Sequence, residues 1–332
     1  MTDATIVLSS ALALPGVLLL LCLFPSVRAR MPKFAVIAPV PALAAAWFAG
    51  RDPSIVFATH FFQGHLALDV AGALLLAAAA ILWICAGLYA ATEMRRSRNA
   101  GNFSAWWLTA MLGNFGVVMS ADIASFYLFL AAGTIGAYGM IMHTMTPDAR
   151  RASVTYIGFA LAGEASILIG LVLLAAASPG HSLLIRDAVA GLSPSPWRDL
   201  TVAFLALGFG LKIGLAPLHI WMPLAYTAAP ISAAAVLSGA AVKAGVIGLI
   251  RFMPFDAGSV NVGTGLAMAG IVSTFYGVAV GITRANPKTI LACSSISQMG
   301  VIATLIGVGL ATANAGVAIA AAFYGAHHVL VK

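Results

Sequence analysis

The stretch from Leu211 to Gly245 reads LKIGLAPLHIWMPLAYTAAPISAAAVLSGAAVKAG, and it decides the fold. It is apolar along most of its length, yet it carries Lys212, His219 and Lys243. Pro217, Pro223 and Pro230 punctuate it. A proline inside a helix removes one backbone hydrogen bond and clashes with the preceding turn. In lipid the freed carbonyls need another partner, so such a break belongs in a protein interior or against water. The segment therefore predicts a membrane helix interrupted between about Lys212 and Pro223. A bend made only for packing is the plainer alternative. A lysine and a histidine beside the prolines argue against it.

The rest of the chain supports a membrane setting. Its 332 residues are 61% hydrophobic and 8% charged, with a mean hydropathy of +1.01. A soluble domain is about 25% charged, so this composition could not cover a water-facing surface. Disorder is excluded too, because it needs low hydrophobicity and high charge. The apolar runs are long and continuous, which fits helices of about 20 residues and not alternating barrel strands. Eleven spans are predicted: 5–27, 33–50, 66–92, 103–119, 121–144, 152–178, 199–223, 229–252, 259–282, 288–309 and 312–332. The fold class is thus all-α, a polytopic transmembrane bundle. The first span has no basic residue before it, so it does not read as a cleavable signal.

Basic residues orient the bundle. With the N-terminus outside, the inside loops hold Arg28, Arg30, Lys33, Arg95, Arg96, Arg98, Arg150, Arg151, Arg284 and Lys288. The outside loops hold Arg51, Arg186, Arg198 and Arg251, a clear positive-inside bias. The net charge of +7 is therefore a topology signal and no reason to propose nucleic-acid binding.

Lys212, Lys243 and Lys332 fall inside predicted spans, as does Glu164, about 20 Å along its helix from Arg151. A charge at the bilayer centre costs at least about 2.5–3.5 kcal/mol. Lys212 and Lys243 lie too deep to snorkel. These groups ask for a shared, hydrated interior. His219, His327 and His328 are relay candidates because imidazole titrates near neutrality. His60, His65, His143 and His181 are placed near the surfaces with no role. Ser294, Ser295, Ser297 and Gln298 form a polar stripe that either holds water or bonds helix to helix. Cys22, Cys85 and Cys293 lack metal-ligand spacing and read as packing residues. With no GxxxxGK, HExxH or cysteine cluster, no redox or hydrolytic site and no cofactor is expected.

LKIGLAPLHIWMP resembles the PLHxWLP signature, preceded by a lysine, of the antiporter-like subunits of respiratory complex I, Mrp cation/proton antiporters and membrane-bound hydrogenases. ILACSSISQMG, from Ile290, is similar to that family's LLAYSSISQMG, and AAFYGAHHVLVK, from Ala321, to its AAFHLLNHALFK. HLALDVAGALL resembles its lead-in to the third helix, so the likeness spans about 66–332. WMPLAYTAAPISAAAVLSGAAVKAGVIGLIR most resembles the large membrane subunit of hydrogenase-4 and formate hydrogenlyase, with its WLPxAHPAAP and LMSGVMxKxGIYGIxR patterns.

The resemblance implies a proton-conducting, non-redox subunit built from two inverted five-helix repeats. Residues 1–102 would form three N-terminal helices, 103–252 the first repeat with its broken helix at about 212–223, and 253–332 an incomplete second repeat. Lys212 matches the broken-helix lysine and Lys243 the lysine of the next helix. His328 and Lys332 match the central histidine and lysine of the second repeat. Two departures stand out. Ala131 occupies the position of the family's fifth-helix glutamate, and Tyr324 stands where many members have a histidine. The chain also stops at Lys332 inside the eleventh expected span, for which a fragment is the favoured reading, with a split gene or a second repeat from another chain as alternatives.

The leading expectation is proton translocation within a redox-driven complex of the complex I or hydrogenase type. Its proton pathway would use Lys212, Lys243, Glu164, His219, His328 and Lys332, with Glu164 replacing the missing glutamate as the partner of Lys212. An Mrp-type sodium/proton antiporter subunit is one alternative. A non-conducting structural subunit is another. Expected partners are other membrane subunits of a respiratory, hydrogenase or antiporter complex, the lipid bilayer and protons. The expected location is the cell inner membrane.

Overall fold

The computed structural model describes residues 3–332 apart from 29, 52, 59–62, 98, 179 and 181. His60, His181 and Arg98 thus lie outside the described residues. The chain opens with α1 (Asp3–Leu21), α2 (Pro25–Arg28), α3 (Met31–Phe34) and α4 (Val40–Trp47). A hairpin of β1 (Ser54–Ala58) and β2 (Gln63–Ala67) follows, antiparallel, with Ser54 opposite Ala67. Then come α5 (Val70–Glu93), α6 (Ala100–Met119), α7 (Ile123–Met142), α8 (Pro147–Ala177) and α9 (Ile185–Leu192). The remainder is α10 (Arg198–Ile213), α11 (Trp221–Ala228), α12 (Ile231–Val236), α13 (Lys243–Phe252), α14 (Val260–Gly281), α15 (Pro287–Ala311) and α16 (Val317–Leu330).

Among the described residues, seven helices are long and apolar enough to cross a membrane: α1, α5, α7, α8, the run Ile231–Phe252, α14 and α15. The protein is a multi-pass membrane protein. The expected span at 33–50 is not one helix. Pro32, Pro39 and Pro41 each withhold an amide, and the segment divides into α3 and α4. The hairpin falls in a stretch between predicted spans, where SIVFA supplies β-branched and aromatic residues.

Helix starts are set by local polar residues. Asp69 accepts from the Gly72 amide at 2.7 Å, and Asp122 from the Ser125 amide at 2.8 Å. The second Asp122 oxygen accepts from the His65 amide at 2.7 Å, tying the hairpin to the start of α7. Glu93 accepts from the amides of Ile231 and Ser232, at 2.9 and 3.2 Å, and so caps α12 from the far end of α5. Prolines 147 and 287 begin α8 and α15, where a missing amide costs nothing.

Close helix contact then places the interior groups. α8 crosses α10 at Gly163 and Gly208. A Cβ on Gly208 would lie 2.7 Å from the Gly163 carbonyl oxygen, so only glycine permits this approach. Glu164 directly follows the crossing, and Lys212 sits one turn beyond it on α10. An aromatic cluster of Phe126, Phe209 and Phe252 joins α7, α10 and α13, with ring centroids 4.8–5.9 Å apart.

Candidate functional site

The site begins where α10 stops. Gly214 adopts the left-handed conformation, φ 71°, which a β-carbon disfavours. The Gly214 amide donates to the Leu211 carbonyl at 3.2 Å and the Leu215 amide to that of Gly210 at 3.0 Å. The Trp221 indole N–H donates to the Leu211 carbonyl at 3.1 Å. From α14, Ser273 Oγ accepts the Ala216 amide at 2.9 Å. The seven residues between α10 and α11 are not helical, and side chains meet the Leu211 carbonyl at the end of α10 and the Ala216 amide within the interruption.

Lys212 lies in the last turn of α10. Its ammonium donates to Glu164 Oε1 of α8 at 2.8 Å. It also donates to Thr134 Oγ1 of α7, and Thr134 in turn donates to the same Glu164 oxygen. Both charged side chains are enclosed, 11% and 8% exposed. Three helices thus meet through three side chains. The carboxylate expected to partner Lys212 is in direct contact with it.

A cavity of about 40 Å³ adjoins Lys212, lined by Asn114, Tyr156, Trp221 and Trp83 among others. A water needs about 10–15 Å³ on this measure, so the space accommodates two or three. Its far wall includes Val236, Leu237 and Ala241, where the helix widens into a π-turn over Leu237–Ala241. Such turns concentrate at functional sites. Asn114 Nδ2 donates to the Ala240 carbonyl at 2.8 Å while its oxygen accepts from Trp83 Nε1 at 3.3 Å. Tyr226 Oη donates to the Leu237 carbonyl at 3.4 Å.

The π-turn leads into Lys243, the first residue of α13, which is 1% exposed. Lys243 Nζ lies 2.8 Å from His328 Nδ1 of α16. His328 is fully buried and its Nε2 has no partner among the described residues. One proton fits between these two nitrogens, with one of them donating. Lys332 Nζ donates to Ser294 Oγ at 2.8 Å and to the Leu291 carbonyl at 3.2 Å. Tyr324 donates to Gln298 Oε1. Ser294 and Gln298 of the polar stripe are therefore occupied by helix-to-helix bonds. His219 stands apart within the interruption, buried, its ring 4.5 Å from that of Tyr276 and its Nδ1 without a partner. His327 packs near Tyr324, ring centroids 6.0 Å apart.

Thr134 and Asn114 are the residues that sequence reasoning missed. Thr134 follows Ala131 by three positions, which puts both on one face of α7. That spacing was the available signal. No group of three or more histidine, cysteine or acidic side chains suited to a metal occurs among the described residues.

A family model described as NADH:quinone oxidoreductase/Mrp antiporter, TM, matches residues 120–332. The chain belongs to that family. It is 30% identical over 283 residues to NADH-quinone oxidoreductase subunit N of Desulforudis audaxviator, covering 81% of this chain and 54% of that protein. It is 27% identical over 256 residues to hydrogenase-4 component B of Escherichia coli, covering 74% of this chain and 37% of that one. The chain thus spans about half or less of the length of these relatives. Its fold is similar to that of a chain in an archaeal respiratory membrane complex, the membrane-bound sulfane sulfur reductase. The TM-score is 0.77 at 21% identity, with 92% of this chain and 64% of that chain covered.

Proposed function

We propose that this chain is a proton-translocating subunit, without redox chemistry of its own, in a redox-driven membrane complex of the complex I or membrane-bound hydrogenase type. The observation that carries the reading is the Lys212–Glu164 ion pair, 2.8 Å apart and enclosed beside the interruption between α10 and α11. Enclosed charges are costly unless paired, and intramembrane ionisable groups beside interrupted helices suit an ion path. In contact, the pair holds its proton within the enclosure. Movement of the interrupted segment separates the charges and releases that proton. Lys243 and His328 then accept it, and Lys332 lies beyond them. His219 is assigned to the approach from the interruption.

Residues 103–252 are assigned to a first five-helix repeat and 253–332 to part of a second. The inner membrane, with the N-terminus outside, is the location that the basic loops favour. Partner subunits of a respiratory or hydrogenase complex are proposed from the named relatives. Protons suit the site better than sodium, since a sodium ion needs several oxygen ligands and the one enclosed carboxylate here already holds an ammonium.

The test is proton uptake into vesicles containing the purified protein, driven by an imposed potassium diffusion potential. Wild-type vesicles acidify, and those carrying Lys212→Met do not. Uptake by Lys212→Met at the wild-type rate would overturn the reading.

A further inference from the structure

Thr134 sits between the two charges of the site, and its hydroxyl has a choice of acceptors. Thr134 Oγ1 donates to Glu164 Oε1 and also lies 3.2 Å from the Leu130 carbonyl oxygen, one turn back on α7. A hydroxyl carries one hydrogen and two lone pairs, so it serves one acceptor at a time while it receives from Lys212.

We propose that Thr134 is a proton bridge that lets Glu164 carry the proton, in place of acting only as a fixed counter-ion. The inference rests on the proton-translocating reading above. In the resting arrangement, the Lys212 ammonium donates directly to Glu164 Oε1 at 2.8 Å and also to Thr134, and the Thr134 hydroxyl donates to the same carboxylate oxygen, so the bridge runs beside the direct contact. In the transfer, one N–H bond of Lys212 breaks and its proton joins Thr134 Oγ1. The hydroxyl proton leaves for Glu164 Oε1. One N–H and one O–H bond are lost and two O–H bonds are gained. The products are an amine, a hydroxyl and a carboxylic acid, and the net charge is zero before and after. No oxidant or reductant takes part.

The second acceptor makes both states satisfiable. Once Glu164 is protonated it no longer needs the hydroxyl as donor. Thr134 can then turn its hydrogen to the Leu130 carbonyl and accept from the new acid. A side chain without a hydroxyl would leave only the direct Lys212–Glu164 contact and no partner that can both give and receive. The location adds weight. Thr134 lies one turn from Ala131 on the same face of α7, so that helix contributes a hydroxyl where the family resemblance implies a carboxylate, and α8 contributes the acid. The Gly163–Gly208 crossing holds α8 against α10. Proton movement across the pair therefore requires no movement of either helix.

The experiment compares Thr134→Val, which keeps the shape, with Thr134→Ser, which keeps the hydroxyl. Infrared difference spectra of the purified protein between high and low pH should contain a carboxylic-acid C=O band that Glu164→Gln removes. Thr134→Val should move that band to the frequency of an acid with one hydrogen bond fewer, and Thr134→Ser should leave it in place. In vesicles, Thr134→Val should slow uptake on the order of tenfold, less than the roughly 10²–10⁴-fold of full acid–base assistance because the direct Lys212–Glu164 contact remains, and Thr134→Ser should restore it. A missing Glu164 band in the wild type, or a band and a rate that Thr134→Val leaves unmoved, would overturn the bridge. Wild-type vesicles that take up no protons would instead refute the translocation reading, and the infrared comparison would still decide the bridge.

Discussion

The protein places two buried lysines in opposite settings. Lys212 faces a carboxylate and a hydroxyl, so two opposite charges share one enclosure. Lys243 faces only an imidazole nitrogen at 2.8 Å, and among the described residues no carboxylate forms an ion pair with it. The first site is electrically neutral when both groups are ionised. The second is neutral only when neither is. On the proposed pathway, a proton leaving the first site departs from a balanced pair and arrives at a pair of uncharged bases. In the proposed function, direction along the chain would come from this contrast in partner chemistry, with similar lysines at both ends.

The contrast predicts unequal costs of cutting each pair. Glu164→Ala strands an ammonium, and breaking a buried ion pair typically costs about 3–5 kcal/mol. Lys243→Met removes a base from a base and leaves His328 Nδ1 unbonded, a penalty of about 1–3 kcal/mol. Thermal unfolding of the purified proteins in detergent should rank them in that order. Replacing both members of the first pair, Glu164→Leu with Lys212→Met, should recover most of the stability lost by Glu164→Leu alone, because no charge is left stranded. A larger loss at Lys243 than at Glu164 would mean that Lys243 is charged in the resting protein, and the contrast would fail.

The same contrast explains what the sequence could and could not disclose. Glu164 was identifiable because it is the one carboxylate deep in an apolar run, and an ammonium nearby demands an anion. Thr134 was harder to single out, because hydroxyls are common in membrane helices and its one signal was the three-residue spacing from Ala131. The interruption after Lys212 was readable from its prolines, with a lysine and a histidine beside them. The π-turn before Lys243 was not, since no residue in LSGAA forbids an ordinary helix. Its carbonyls are met by Asn114, 126 residues away in the chain. Average hydropathy concealed the division of 33–50, where Pro39 and Pro41, with Pro32 just before, outweigh the apolar residues around them.

Asn114 therefore offers a way to sharpen the comparison from the Lys243 side. Asn114→Leu leaves the Ala240 carbonyl and the Trp83 indole without their partner. A buried group left unsatisfied costs about 1–3 kcal/mol. Tyr226→Phe removes only a long bond of 3.4 Å to Leu237, and should cost about 0.5–1.5 kcal/mol. If the π-turn aims Lys243 at His328, Asn114→Leu should slow vesicle uptake more than Tyr226→Phe does. Equal rates in the two variants would show that Lys243 holds its position without the turn.

The smallest effect is expected at the rim, where the same ionic chemistry recurs with water present. Arg251 donates to Asp69 at 3.0 Å, close to the 2.8 Å of the buried pair, but the Asp69 side chain is 54% exposed. The guanidinium also donates to the Ser120 carbonyl at 2.7 Å, so it stays anchored when the carboxylate is neutralised. Asp69→Asn should then lower stability by about 1 kcal/mol or less, as pairs with an exposed partner do, since Arg251, itself 9% exposed, keeps its carbonyl acceptor. Near 1 M salt, where screening acts within about 3 Å, the difference from wild type should vanish. Glu164→Gln should keep its deficit at the same salt, because an enclosed pair is screened far less. Unfolding temperatures of both variants at low and high salt provide the check. Parallel salt responses would show that water and ions reach Lys212 as freely as they reach Asp69. Proton release at Lys212 would then need no separation of charges, and the neutral, enclosed pair would lose its part in the mechanism.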